Sequence, residues 1–577
     1  MRPHHKADAG RSADTLTASR RFSLVLALAC ALLTVGPYAV RPSMLTTRTF
    51  DPDEFQHLHA AWSYQQGMVP FRDFFEHHMP GIYYLLGPVL RFYDIAGSTD
   101  DTIRAAYAAR GTMLVCAIAI ALFTFLLARR YGGTTVAWLA SALLSTNIVY
   151  VSRTLEIRPD VPAVALWTAS QYALFAALSP REEADRSRRL FFAAAGLLLG
   201  GALVFTQKVL LAGPGFAVFS ILYLVRSAGP PRSQRLANLV AFVACAVIPL
   251  GAVVAQFWRN DAIAPLVAGV WTNNLGWIQE VTPSTTLHWM LLRDPFFCAL
   301  STAGFVVAAA TLASDWTDRR AAMLFPTLSL FAGMAFMPAP FPQYLLLILP
   351  ASAIYGSDFL WRGAALAGCT ATDERRDIRT FVAAACAFAI VAILGLSFAQ
   401  PYFRHPAIYP LVGVGATVLA LAFVRQGLAT GAVIVLLLAM STYSVQQLTW
   451  MAGLSNADVV AAMRFIHDST TAESRVMDGF SGLGWFRHHA AFYWFTAPGV
   501  RPRLSASDKS QMVAMLEGCG LQPDIVILDE QLRRVSPDVA TAVVQYYQRT
   551  PYDLVWQQDP ARSVCRPVGD DKSAITR

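Results

Sequence analysis

Charge is scarce in this chain of 577 residues: Asp, Glu, Lys and Arg together make up 15% of it. A soluble globular chain carries about 25%. Hydrophobic residues reach 55%, and the mean hydropathy is +0.42. That deficit is too large for one soluble core. A basic stripe is also missing. The formal charge is +8, but the arginines are scattered between apolar runs, which argues against a nucleic-acid partner. The eight cysteines (Cys30, Cys116, Cys245, Cys298, Cys369, Cys386, Cys519 and Cys565) form no Cys-x-x-Cys pair, so zinc-finger and dithiol redox signatures are absent. Most lie in or beside apolar runs, where a thiol behaves as a small hydrophobe. Cys519 and Cys565 lie in a polar C-terminal region and would pair only in an oxidising compartment. Internal repeats and low-complexity tracts are absent as well.

What the chain has instead is long apolar runs, such as 22–40, 111–127, 209–225, 381–398 and 428–445. A bilayer core about 30 Å thick takes about 20 apolar residues as helix, and helices satisfy their own backbone there. The pattern predicts a polytopic α-helical membrane protein with about thirteen spans. They fall near 22–40, 104–128, 134–151, 160–178, 190–206, 209–225, 237–257, 296–313, 321–337, 343–361, 379–398, 407–424 and 428–448. Residues 1–21 are polar and basic, and the run that follows is longer than a signal-peptide core. We therefore expect a retained first helix and a cytoplasmic N-terminus. Alternation then places Arg129/Arg130, Arg181/Arg186/Arg188/Arg189, Arg226/Arg232/Arg235, Arg319/Arg320, Arg362/Arg375/Arg376 and Arg425 inside, as the positive-inside rule requires. It leaves two long regions outside, 41–103 and 449–577. The second changes to soluble character and predicts a small C-terminal α/β domain, with helices near 456–468 and 537–548 and strands near 475–479, 524–528 and 553–557.

The first outside loop carries the chemistry. It contains Asp51-Pro52-Asp53-Glu54-Phe55-Gln56-His57-Leu58-His59 and then Arg72-Asp73-Phe74-Phe75-Glu76-His77-His78-Met79-Pro80. Five carboxylates and four histidines thus fall within 28 residues. Residues 53–66 read as a short amphipathic helix. Pro52 fits its first turn and Asp51 fits its N-cap, while residues 81–95 suit a short interfacial helix. Capping alone does not call for so many Asp, Glu and His beside a bilayer. Asp53 and His57, four apart, share a helix face.

These residues resemble the first lumenal or periplasmic loop of glycosyltransferase family 39, the group of protein O-mannosyltransferases and lipid A aminoarabinose transferases within the GT-C superfamily. Asp53-Glu54 match the family's acidic pair, and residues 72–80 match its second element, with Met79 replacing a commoner proline. Further along, Glu156-Ile157-Arg158-Pro159-Asp160 is similar to a later acidic loop. Thr206-Gln207-Lys208 and Phe341-Pro342-Gln343-Tyr344 resemble family elements with Val209 and Gln343 as departures, and Arg110 matches a frequent arginine in the second span.

The resemblance implies transfer of a sugar from a polyprenyl-phosphate donor to an acceptor glycan, lipid or protein on the non-cytoplasmic face, with inversion. An acceptor hydroxyl needs a base, for which Asp53 is expected first and Glu54 second. A phosphate leaving group needs cations, for which Lys208, Arg110 and Arg158 are expected, with Tyr344. Glu76, His77, His78, Asp160 and His57 would shape the site or hold a divalent metal, since His and carboxylate suit zinc or manganese. A hydrogen-bonded structural His77-His78 pair, an Arg158–Asp160 salt bridge and snorkelling of Lys208 are the plainer alternatives. Buried in a span, Arg110 requires a carboxylate or phosphate partner. His467, His488 and His489 lie in a separate C-terminal segment, where 485–489 would line an acceptor path or form an ordinary surface loop. A transporter of lipid-linked glycans would carry its ionisable groups near the bilayer midplane, in paired halves. A non-catalytic assembly protein would have no use for the clustered carboxylates.

Overall fold

The computed structural model describes residues 6–179, 185–226, 229–277, 281–316, 319–366, 448–518, 521–559 and 561–562. The spans expected at 379–398, 407–424 and 428–448 (Leu448 apart) and the Cys519/Cys565 pairing lie outside the described residues. Within them, six helices are long and apolar enough to cross a bilayer: Ala27–Thr47, Thr99–Gly132, Ser187–Phe205, Gln207–Val225, Arg232–Arg259 and Pro295–Ser314. The apolar runs form helix for the reason given above: each is long, and none is interrupted by a cluster of turn residues.

Other runs depart from the expected pattern. The stretch expected as one span at 134–151 is two helices, Thr134–Thr146 and Ile148–Arg153. Asn147 breaks them: it is extended, and its side chain caps the second helix by accepting from the amides of Val149 and Tyr150. The run at 343–361 starts as a 3₁₀ turn, Pro342–Leu347, before Leu349–Leu366. Gln207–Ala212 is a second such turn, leading into Gly213–Val225. Both irregular starts fall beside the cluster described below, placing Lys208 and Tyr344 at helix ends. Helix Asp160–Ala177 is buried on nearly every side, as a helix apolar all round should be.

Helices Asp185–Phe205 and Arg232–Arg259 approach closely through Gly196 and Gly200. A Cβ on these glycines would stand 1.9 Å from the Phe242 carbonyl oxygen and 2.2 Å from that of Ala246. Small residues four apart allow this contact between apolar helices.

After residue 456 the chain forms a five-stranded sheet of order β2-β1-β3-β5-β4. Its strands are β1 (Arg475–Asp478), β2 (His488–His489), β3 (Ile525–Ile527), β4 (Tyr547–Arg549) and β5 (Val555–Gln558). β1 pairs parallel with β2 and β3, while β3, β5 and β4 run antiparallel. Helices Ala457–Asp468, Ala506–Leu516 and Pro537–Tyr546 accompany it. Met477, Val526, Leu516, Val543 and Trp556 build a core of their own. The expected helix 537–548 ends at Tyr546, and its last residues join β4 instead.

Gly200→Val would force the two helices apart at a backbone contact that cannot rotate away. We expect a loss of about 1–3 kcal/mol, read as a lowered unfolding midpoint of the detergent-solubilised protein, whereas Gly251→Ala, where a Cβ meets nothing within 4 Å, should leave it in place.

Candidate active site at the first long loop

The loop helix spans Pro52–Gln65. Asp51 is its N-cap: its side chain accepts from the Asp53 amide, and Glu54 reaches back to the Asp51 amide at 2.9 Å, completing a capping box. With Pro52 at the first turn, the start of this helix is determined locally.

Glu54 is fully buried beneath it. Its carboxylate accepts from Arg110 Nε at 2.8 Å and Nη2 at 2.7 Å, and from the Ile157 amide at 3.1 Å. Arg110 spends its other contacts on the carbonyls of Leu45, Arg48 and Thr49 and is 1% exposed. The partner that Arg110 requires is therefore the carboxylate of Glu54. Sequence reasoning placed Glu54 with the bases and Arg110 with the phosphate ligands, yet the geometry leaves both fully engaged with protein groups.

One residue earlier in the helix, Asp53 faces elsewhere. Its Oδ2 accepts from Arg158 Nη1 at 2.6 Å, its side chain is 30% exposed, and no hydrogen bond reaches its Oδ1 among the described residues. Arg158 also contacts Asp51, Nη2 to Oδ1 at 3.1 Å, and donates from Nε to Glu156. Glu156 in turn accepts from Arg48 and Arg153. Burial alone would raise the Glu156 carboxyl, but three guanidiniums hold it well below the usual carboxylate range. Burial pushes Asp51 up to about 6, with Arg158 opposing. Neither Glu156 nor Arg48 was singled out from the sequence. The only signal was the quoted run 156–160 for Glu156; Arg48 lies eight residues past the expected end of the first span.

Arg158 and Asp160 do not form the mutual bridge that was the plain alternative. Asp160, at the start of its helix, accepts from Lys208 Nζ at 2.9 and 3.2 Å. The same ammonium lies 3.3 Å from the Tyr344 ring centroid. The two irregular helix starts thus bring Lys208 and Tyr344 together, as a cation over an aromatic face.

The histidines form a neighbouring group. Glu76 Oε1 accepts from the amides of His77 and His78, from His78 Nδ1 at 2.8 Å and from Gln56 at 3.2 Å. Burial opposes its charge, but these contacts, His78 foremost, hold its carboxyl at about 2. Burial keeps His57 and His77 well below the ordinary imidazole range, with His78 adding to it. One ligand atom each from Glu76, His77 and His78 lies within 4.8 Å of the others. Glu76 Oε2 and His57 Nδ1 are buried without a hydrogen-bond partner, and the His57 ring meets that of His78 at 4.8 Å. This donor set fits a divalent cation. Asp160, the remaining metal candidate, is taken up by Lys208.

The C-terminal region closes over this loop. The Phe75 amide donates to Phe492 O at 3.0 Å, and Trp494 Nε1 donates to Phe75 O at 2.9 Å. His59 Nδ1 lies 2.7 Å from Trp485 O, and its ring meets those of His489 and Trp494. Residues 485–489 are therefore packed against the loop helix and are no free surface loop. His467 lies against Phe486.

Residues 87–257 match the family described as dolichyl-phosphate-mannose-protein mannosyltransferase, a stretch that includes Arg110, Glu156, Arg158, Asp160 and Lys208. The fold is that of the GT-C glycosyltransferases. It is similar to ArnT from Cupriavidus metallidurans, in the apo state (TM-score 0.59) and bound to undecaprenyl phosphate (TM-score 0.57). Each is 13% identical, over 93% of this chain and 99% of that one. It is also similar to the oligosaccharyltransferase AglB from Archaeoglobus fulgidus, in complex with an inhibitory peptide and a dolichol-phosphate. There the TM-score is 0.50 at 11% identity, over 96% of this chain and 75% of that one. No curated protein matches the chain by sequence.

Arg110→Met leaves the Glu54 carboxylate buried and unpaired, at an expected cost of about 3–5 kcal/mol. The double substitution Glu54→Met with Arg110→Met should recover much of that loss, and thermal unfolding of the three variants checks the coupling.

Proposed function

We propose that this protein is a membrane glycosyltransferase that moves a sugar from a polyprenyl-phosphate carrier to an acceptor hydroxyl. The observation that carries the reading is Asp53: a carboxylate anchored by Arg158 through one oxygen and open at the other. It stands in a cluster that also contains Lys208 and Tyr344. The likeness of the fold to a protein holding undecaprenyl phosphate supports a lipid-linked donor.

In this reading Asp53 Oδ1 takes the proton of the acceptor hydroxyl as its oxygen bonds to the anomeric carbon. The bond from that carbon to the phosphate oxygen breaks with its electron pair, releasing polyprenyl phosphate. Attack on the face opposite the leaving group inverts the centre. The departing phosphate is already an anion and needs positive charge rather than a proton. Lys208 supplies it, with Arg158 beside it and Tyr344 against the ammonium. Glu54 and Arg110 fix the loop helix and do not touch substrate. Where a divalent cation is bound, Glu76, His77 and His78, with His57 at hand, would hold it, and it would add positive charge near the phosphate. We place the first loop and the C-terminal region on the non-cytoplasmic face, and the spans in a bacterial inner membrane. The ionisable residues gather at helix ends and not in paired halves, which supports an enzyme over a transporter.

Asp53→Asn should lower sugar transfer in isolated membranes by roughly 10²–10⁴-fold at unchanged expression and melting temperature, with the glycan products followed by mass spectrometry. Transfer at the wild-type rate would overturn the assignment. Lys208→Gln should raise the donor KM and lower kcat.

A further inference from the structure

The proposed reaction leaves a proton on Asp53, and that proton must depart before another hydroxyl can be deprotonated. Arg158, its hydrogen-bonded neighbour, cannot take it, because a guanidinium is already protonated and has no acceptor. The nearby carboxylates differ in what they still offer. Glu54 spends Oε1 on the Asp51 amide and Arg110, and Oε2 on Arg110 and the Ile157 amide. Both Glu156 oxygens accept from guanidiniums. Both Asp160 oxygens accept from Lys208.

Asp51 is different. Its Oδ1 accepts from the Asp53 amide at 3.1 Å and meets Arg158 Nη2 at 3.1 Å. Its Oδ2 has Arg153 Nη1 at 3.7 Å, beyond hydrogen-bond reach, and accepts no hydrogen bond among the described residues. Asp51 and Asp53 are thus built alike. One oxygen of each is held by the same guanidinium, through Nη2 and Nη1, and the other is open. Asp51 also lines a cavity of about 510 Å³, with Arg48, Ser152, Arg153, Glu156 and Arg293. A space that large and that polar holds water. Asp53 is not part of its wall.

The charges around Asp51 suit a proton in transit. Burial, foremost, pushes its carboxyl up to about 6; Arg158 opposes this, and Asp53, Glu156 and Glu54 add to it. Arg153, Arg48 and Arg293 are the other charged groups on its side of the loop helix. An acid in that range takes up a proton and gives it back near neutral pH.

We propose that Asp51 is the second carrier of the acceptor's proton: protonated Asp53 passes it through a water to Asp51 Oδ2, and Asp51 releases it to the water of the cavity. Both residues return to carboxylates, and one proton leaves for each sugar transferred. Arg158 stays protonated throughout and holds the two side by side. The inference rests on the glycosyltransferase reading and adds to it the path by which the base is regenerated.

Asp51→Asn tests this, because asparagine caps a helix as well as aspartate does and keeps an Oδ1 for the Asp53 amide and Arg158. The variant should melt as the wild type does. At low buffer concentration its steady rate of sugar transfer in isolated membranes should fall roughly 10²-fold. Imidazole, a base small enough for the cavity, should restore most of that rate and leave the wild type unchanged. With solubilised protein in excess over a lipid extract of wild-type membranes, which supplies the donor, the first transfer by Asp51→Asn should run at the wild-type rate, since Asp53 begins that turnover without a proton. The steady rate of the wild type should decline as pH falls through about 6, where Asp51 is already protonated, and this step should be missing from Asp51→Asn. An Asp51→Asn steady rate equal to that of the wild type overturns the relay. A first transfer slowed as much as the steady rate, or a slow variant that imidazole leaves slow, overturns it too, since either marks a residue that only shapes the site. If the glycosyltransferase reading itself fails, Asp53→Asn transfers at the wild-type rate. If the relay alone fails, Asp53→Asn is still slow in both the first and the steady turnovers.

Discussion

A carboxylate and a guanidinium buried against each other decide where the first loop sits. Glu54 and Arg110 are each almost wholly removed from solvent, and neither tolerates burial alone. Their bidentate contact ties the loop helix to the helix Thr99–Gly132 at one rotation. With 3.6 residues per turn, the preceding residue then points about 100° away. That is the direction in which Arg158 meets Asp53. The aim of the proposed base is thus set by its neighbour in sequence and only adjusted by its own partner.

Around that pair the charges come close to balance. Asp51, Asp53, Glu54, Glu156 and Asp160 face Arg48, Arg110, Arg153, Arg158 and Lys208. They come from loop, span and helix-end positions far apart in the chain. Such a set explains how many ionisable groups persist beside a bilayer: each is solvated by its opposite. In the proposed reaction it also gives substrates a preorganised field, since the cations are already held when an anion arrives.

Much of this was legible in the sequence, where local rules decide the outcome. The N-cap at Asp51, the proline at the first turn, the extent of the loop helix and the strands β1, β3 and β5 follow from spacing and residue type. So does the need of Arg110 for a buried partner, although not which partner. What was not legible depended on long-range packing. Asn147 follows Ser145 and Thr146 in an otherwise apolar run, and its cap splits a helix in two. Gly196 and Gly200 are plainly four apart, but their role needs the second helix. Glu156 passes for a loop acid until three arginines from separate segments converge on it. Lys208 and Asp160 pair across 48 positions, which no local pattern encodes.

The backbone contacts at Phe75 have a bearing on biosynthesis. Phe75 is held by Phe492 and by Trp494, which lies 419 positions later. The first long loop emerges early, with its aromatic residues and histidines lacking the groups that will cover them. At about 5–20 residues per second, the covering segment follows roughly 20–80 s later. During that interval the loop lacks its C-terminal cover. The covering segment thus closes over a loop made long before it.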